Sequence, residues 1–308
     1  MRNIYTIGDT VLDILFKDDK PVEAKPGGAL LNTAVSLGRL GANVAMVGDF
    51  ANDPVGDIIK KFLKKNHVNT DHITIYDDAK SRLALAFLDE ENNAEWSFYK
   101  IRKDSKAHVE FPANVKDNDI VLFGSFYGIK EEIREGLVAF LRYARNQGAI
   151  LIYDPNFRPA HLPILENVLP YIKENMQLAH IVKGSNEDFE LITNLKTSEE
   201  VKDWMQTFTD AHLIYTANKD GVKVHANRFQ GGFDVPKIET LSTVGAGDTF
   251  NAAIAFSILQ KDMTREGLNE AGAEFWEELV TTAVCFSQEV CMSYDNYISE
   301  KMAGEYQL

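Results

Sequence analysis

The chain has 308 residues, of which 45% are hydrophobic and 25% charged, the make-up of an ordinary folded globule. That length holds one large α/β unit or two smaller ones. Its 46 acidic against 32 basic residues leave a net charge of −14, which argues against a nucleic-acid or anionic-membrane partner and requires any phosphate site to be electropositive locally.

In chain order, Arg2-Asn3-Ile4-Tyr5-Thr6-Ile7-Gly8 reads as a strand entering a turn, so no signal peptide is expected. A short strand over 11–16 carries Asp13. A helical pattern over 30–40, a strand over 43–48 and a helix over 55–66 follow. Residues 82–88 and 95–101 then read as a hairpin around the polar turn at 89–93. Beyond it, strands are expected over 120–124, 149–154, 179–183 and 211–216, with amphipathic helices over 131–146, 162–174, 198–208 and 268–290.

Strand–helix alternation implies a mainly parallel sheet covered on both faces, with ligands at the C-terminal ends of its strands. Polar clusters stand at several of those ends: Gly8-Asp9, Gly124-Ser125, Asp154-Pro155-Asn156 and Lys183-Gly184-Ser185-Asn186. The hairpin and the 11–16 strand lack intervening helices, which predicts a small separate sheet serving as a lid. Cys285 and Cys291 stand six apart, on different faces of a helix, so neither a disulfide nor a metal pair is expected. Cysteine scarcity suits a reducing cytoplasm.

The most informative stretch is Thr243-Val244-Gly245-Ala246-Gly247-Asp248-Thr249-Phe250-Asn251. A glycine loop opening onto a helix presents unpaired N–H groups at the positive end of the helix dipole, where an anion fits. Gly245, Ala246 and Gly247 are therefore the expected anion hole. A pure phosphate cradle would avoid the carboxylate of Asp248, so its simplest task is taking a proton from a hydroxyl that attacks the phosphate. A carboxylate with a pKa near 3.9 is ionised at neutral pH and able to do so.

Together these motifs resemble the ribokinase-like (PfkB) family of carbohydrate kinases over nearly the whole chain. The resemblance rests on Gly8 to Asp13, on Gly27-Gly28-Ala29-Leu30-Leu31-Asn32, on Val47-Gly48 with Asp53-Pro54-Val55-Gly56, and on the Thr243-to-Asp248 loop. Ala29 after the double glycine and Asp154-Pro155-Asn156-Phe157-Arg158 are most similar to fructokinases. The resemblance implies a three-layer α/β fold spanning 1–308 as a single kinase domain, with lid segments at about 11–26 and 82–105. It implies transfer of the ATP γ-phosphate to a primary hydroxyl of fructose, with kinases for ribose or 2-keto-3-deoxygluconate as alternatives. It places the sugar at Asp13, Gly27, Gly28 and Asn32, with Arg102 and Arg158 neutralising phosphate, and the nucleotide along Ser185, Thr216 and Gly221. It implies Mg²⁺, with Asp188 as the residue nearest to a metal role, admits a monovalent cation such as K⁺, and implies a homodimer through the lid.

This sequence departs from the family pattern at Ser242, where an Asp is usual, at Asn218, and at Ser185-Asn186-Glu187-Asp188, where Asn-x-x-Glu is usual. Those changes bear on nucleotide and cation handling and leave Gly245, Gly247 and Asp248 untouched. A nicotinamide oxidoreductase needs Gly-x-Gly-x-x-Gly after the first strand, and the spacing here is wrong. A non-catalytic sugar-binding regulator on the same fold is expected to lose the base or the anion-hole glycines, and both are present.

Overall fold

The computed structural model describes residues 2–88, 94–102 and 109–308. Nine strands form the central sheet: β1 (Ile4–Ile7), β4 (Val44–Ala51), β5 (Asn69–Tyr76), β8 (Ile120–Gly124), β9 (Ile150–Asp154), β10 (Ile181–Ser185), β11 (His212–Thr216), β12 (Val222–His225) and β13 (Gln230–Phe233). Their order is β13-β12-β11-β10-β9-β8-β1-β4-β5. β5 to β11 across the sheet are parallel, and β12 and β13 are antiparallel additions at one edge.

The strands are apolar at almost every position because both faces are covered. Ile4, Met46, Leu122, Ile152 and Ile214 point to one face and Ile7, Val47, Phe123, Tyr153 and Leu213 to the other. The first face carries α1 (Ala29–Arg39), α2 (Pro54–Lys65), α7 (Ala246–Gln260), α8 (Arg265–Glu270), α9 (Ala273–Cys291) and α10 (Glu300–Glu305). The second carries α3 (Arg134–Asn146), α4 (Leu165–Leu178), α5 (Asn186–Thr193) and α6 (Ser198–Gln206). Helix α7 is buried almost all round, from Thr249 to Ile258, and packs between α1 and α9. A helix so enclosed must be apolar on every side, which is why it shows little amphipathic pattern.

The second sheet has four strands in the order β3-β2-β6-β7: β2 (Val11–Lys17), β3 (Lys20–Gly27), β6 (Ala79–Leu88) and β7 (Ala94–Arg102). Asp13, Ala84 and Phe98 lie in one cross-strand row on one face. Ile14, Phe16, Leu83, Leu85, Phe87 and Tyr99 share the other. The expected turn at 89–93 lies outside the described residues.

Several expectations need correction. The single helix expected over 268–290 is two, α8 and α9, broken at Ala271-Gly272, where Ala271 takes an extended backbone. The helix expected from 131 begins as a 3₁₀ turn, Glu131–Ile133, and that expected from 162 lies behind the 3₁₀ segment Pro159–Ile164. Pro159 and Pro163 lack the N–H that an α-helical start extending further in would need. Strands β3, β5, β12 and β13 were not expected, although Ile73-Thr74-Ile75 in β5 and Val222-Lys223-Val224 in β12 do alternate.

Candidate active site

The C-terminal ends of β1, β8, β9, β10 and β11 share one edge of the sheet, and the second sheet stands over it. Two residues at this edge take left-handed backbone, Ser125 at φ 53° and Asn156 at φ 39°. Helix α7 starts at this edge. Gly245 caps it in the left-handed region, with φ 86°, and no side chain caps the first turn. A Cβ on Gly245 would lie 2.4 Å from the Asn296 carbonyl oxygen, so glycine is required by conformation and by space. The N–H of Ala246 leans on the Thr243 carbonyl at 3.3 Å, a long bond. Among the described residues, the N–H groups of Gly247 and Asp248 have no backbone acceptor. The Gly245 N–H likewise has no backbone acceptor among the described residues, so the open donors are those of Gly245, Gly247 and Asp248.

Asp248 sits in this first turn and is held from α1. Asn32 Nδ2 donates to Asp248 Oδ2 at 2.9 Å, and Thr33 Oγ1 donates to the Asp248 carbonyl at 2.9 Å. Burial pushes the Asp248 carboxyl up to about 6. The Asn32 hydrogen bond and the positive charges of Lys183 and Arg158 oppose the rise, and Asp154 adds to it. Among the described residues, Asn32 Oδ1 is buried without a hydrogen-bond partner.

Asp13 belongs to the same cleft. It is 7% exposed, and burial pushes its carboxyl up to about 7, with Lys25 opposing and Asp248 reinforcing the shift. A Cβ on Gly27 would lie 2.0 Å from Asp13 Oδ2, and one on Gly28, at φ 121°, 2.3 Å from the Asp9 carbonyl oxygen. The double glycine thus lets the α1 entry pass close to both acidic residues. Gly28 caps α1 with no side-chain cap, leaving a second helix N-terminus aimed at the cleft.

Below Asp248 lies a buried polar chain. Lys183, in the middle of β10, bonds Asp154 Oδ2 at 2.9 Å, and Asn251 Nδ2 donates to the same oxygen at 2.7 Å. Lys183 and Asp154 are 4% and 5% exposed, so each charge is stable only beside the other. The Lys183 ammonium lies 3.0 Å from where a Gly247 Cβ would be, directly under the helix start. Lys183 and Asn251 were not expected as site residues. The Val-Lys-Gly-Ser strand end signalled the lysine, whereas Asn251 reads as an ordinary helix residue.

Ser185 and Thr216 are register partners on β10 and β11, and Gly221, at φ 104°, closes the turn after Thr216. These three therefore gather on one side of Lys183. Asp188 lies beside them in a capping box: its Oδ2 accepts from Ser185 N at 2.8 Å and Ser185 Oγ at 2.7 Å. Burial and the charge of Asp154 raise its pKa. Arg158 is exposed but within electrostatic reach of Asp248. Arg102 pairs with Ala79 along β7, and its side chain lies outside what the structure describes. Asp9 joins a charged cluster with Arg82, Lys130 and Asp49 that ties β6 to the central sheet.

The sequence profile of the pfkB family carbohydrate kinases matches residues 1–292. The chain belongs to this family. It is 32% identical over 243 residues to Fructokinase-1 of Oryza sativa subsp. japonica, covering 76% of this chain and 74% of that protein. Fructokinase-1 of Zea mays is 30% identical over 244 residues, with 76% and 74% covered. Among solved structures, the fructokinase of Vibrio cholerae O395 with fructose, ADP and calcium superposes with a TM-score of 0.85 at 19% identity, covering 100% of this chain and 99% of that one. Aminoimidazole riboside kinase of Salmonella enterica superposes at 0.80 with 17% identity and 99% of both chains covered. At such identities the superpositions establish the fold, and the family match makes this PfkB protein a carbohydrate kinase. Among the described residues, no helix is long and apolar enough to cross a membrane.

Proposed function

We propose that this PfkB carbohydrate kinase transfers the γ-phosphate of ATP to a primary hydroxyl of fructose, with Asp248 as the general base. The observation that carries this reading is the placement of a carboxylate at an open helix N-terminus, tethered by Asn32 and facing Asp13 across the double glycine. A base needs a pKa near the working pH, and a carboxyl at about 6 is both ionised at neutral pH and basic enough to accept a proton. The Gly247 and Asp248 N–H groups and Lys183 offset negative charge on the transferred phosphoryl. Asp13 and Asn32 Oδ1 receive sugar hydroxyls. Ser185, Thr216 and Gly221 border the nucleotide, and Arg158 meets phosphate from the solvent side.

Mg²⁺ fits this donor set in a limited way. Among the described residues no group of three metal-binding side chains occurs, and Asp188 offers one carboxylate already engaged by Ser185. That suits an ion held mainly by water and phosphate oxygens, which would supply charge neutralisation when bound. The preference for fructose rests on Ala29, on the Asp154-to-Arg158 segment and on the fructokinase relatives. The kinetic test is kcat/KM with ATP and Mg²⁺ for fructose, ribose and 2-keto-3-deoxygluconate. Fructose is expected to lead, and a tenfold preference for either competitor overturns the fructose reading.

The same reading makes the second sheet a lid, and its outer face a homodimer contact. Phe16 stacks on Phe87 at 5.1 Å on that face, and Phe87 and Tyr99 are 42% and 51% exposed. An exposed apolar face of this kind is covered economically by a second copy about a two-fold axis.

A further inference from the structure

The lid strand and the phosphate loop are joined by one buried lysine. Lys25 pairs directly with Asp13 in the β2–β3 register, so both side chains rise from the same face of the small sheet. Lys25 is 9% exposed. Its ammonium crosses the cleft and donates to the backbone carbonyl of Tyr294, with Glu23 Oε2 3.7 Å away. Tyr294 belongs to the segment after α9, and that segment braces the glycine loop on two sides. The N–H groups of Leu241 and Ser242 donate to the Cys291 carbonyl at 2.8 and 3.3 Å. Asn296 packs its backbone against Gly245 so closely that a Cβ there would meet its carbonyl oxygen at 2.4 Å and its Cα at 2.6 Å. Asn296 is itself only 3% exposed, so the segment is wedged rather than loosely laid.

A continuous set of contacts therefore runs from Asp13 through Lys25, Tyr294 and Asn296 to Gly245. We infer that Lys25 couples occupation of the sugar site to the geometry of the anion hole, acting as a positioning residue between lid and phosphate loop. The inference rests on the proposed reading of Asp13 as a sugar contact. An Asp13 carboxylate engaged by a sugar hydroxyl and a Lys25 held on the far carbonyl fix β2 and β3 relative to residues 291–296. Those residues then hold Gly245 in its left-handed cap conformation. A lid contact that holds the phosphate loop more firmly once sugar engages Asp13 also restrains ATP hydrolysis without sugar. Because coupling between two sites is reciprocal, sugar and nucleotide should each tighten the other by one common factor, typically about 5–150-fold.

The test is calorimetric titration of the full-length enzyme with a non-hydrolysable ATP analogue, with and without saturating fructose. The parent is expected to show tighter analogue binding with sugar, and Lys25→Met to bring that factor to within about twofold of unity while leaving analogue binding without sugar nearly unchanged. Lys25→Arg should retain much of the factor, since a guanidinium also reaches a carbonyl. A parent with no coupling, or a Lys25→Met enzyme with the parental factor, overturns the inference. Hydrogen exchange on the parent needs no variant: sugar alone should protect residues 291–296, and unchanged exchange there overturns it too. The sugar-site reading fails separately, if Asp13→Ala binds fructose as tightly as the parent.

Discussion

Replacing Asp248 with Asn should separate activity from stability. The substitution keeps an oxygen able to accept the 2.9 Å bond from Asn32 and removes a charge that burial makes costly. Lifting the carboxyl from its usual 3.8 to about 6 corresponds to about 3 kcal/mol, at about 1.4 kcal/mol per unit, as an upper bound where the open cleft admits water. A pKa raised on folding contributes stability that is fully present below the unfolded value and is lost as pH rises through the folded one. Parental stability from this group therefore declines between about pH 4 and pH 6–7. The Asn variant lacks that decline. By urea unfolding at constant m-value, it should be more stable than the parent at pH 7.5 by up to about 3 kcal/mol, and the gap should close towards pH 4. Its kcat should fall about 10²–10⁴-fold with KM little changed. A variant no more stable than the parent at pH 7.5, or one altered only in KM, refutes the reasoning.

The pH dependence of kcat/KM should show an acid limb between pH 6 and 7, because Asp248 and Asp13 bind protons there and lose their acceptor roles; a flat profile down to pH 5 contradicts both assignments. Gly27→Ala places a methyl against Asp13 Oδ2 and should raise the sugar KM about tenfold or more, read by steady-state kinetics at saturating ATP. Lys183→Met leaves Asp154 buried without its cation and should cost about 3–5 kcal/mol by urea unfolding, much of it recovered when Asp154→Asn is added. If the proposed lid interface holds, the parent should sediment as a dimer and Phe87→Asp as a monomer; a monomeric parent, or a variant still dimeric at micromolar concentration, contradicts that interface.

The elements that were legible in the sequence are those whose local pattern and tertiary role agree. Strands β4, β8, β9, β10 and β11 are buried on both faces, so their apolar runs could hardly be mistaken. The loop at Gly245 was legible because left-handed backbone and close packing both require small residues in one place. Asp13, Gly27, Gly28 and Asn32 drew attention only through their combination, since each alone is ordinary turn or helix chemistry. Strand β3 escaped because Lys20-Pro21-Val22-Glu23-Ala24-Lys25 has neither alternation nor β-branched bias; it is a strand because β2 offers it a partner.

What the chain by itself determined is the alternating architecture, the kinase family and the position of Asp248 directly behind a glycine loop that opens a helix. Those follow from near-neighbour patterns: hydrophobic period, glycine spacing and a carboxylate one residue after the loop. Only the tertiary structure decided that Asn32 holds Asp248 across 216 residues of sequence, that Lys183 lies beneath Gly247, and that Lys25 reaches Tyr294. The pKa of Asp248 belongs to the same class, because it is set by burial, by the Asn32 hydrogen bond from α1, by charges on β9 and β10, and by Arg158 after β9. Such contacts join residues with no sequence relation, and they exist only once the sheet has brought several strand ends to one edge.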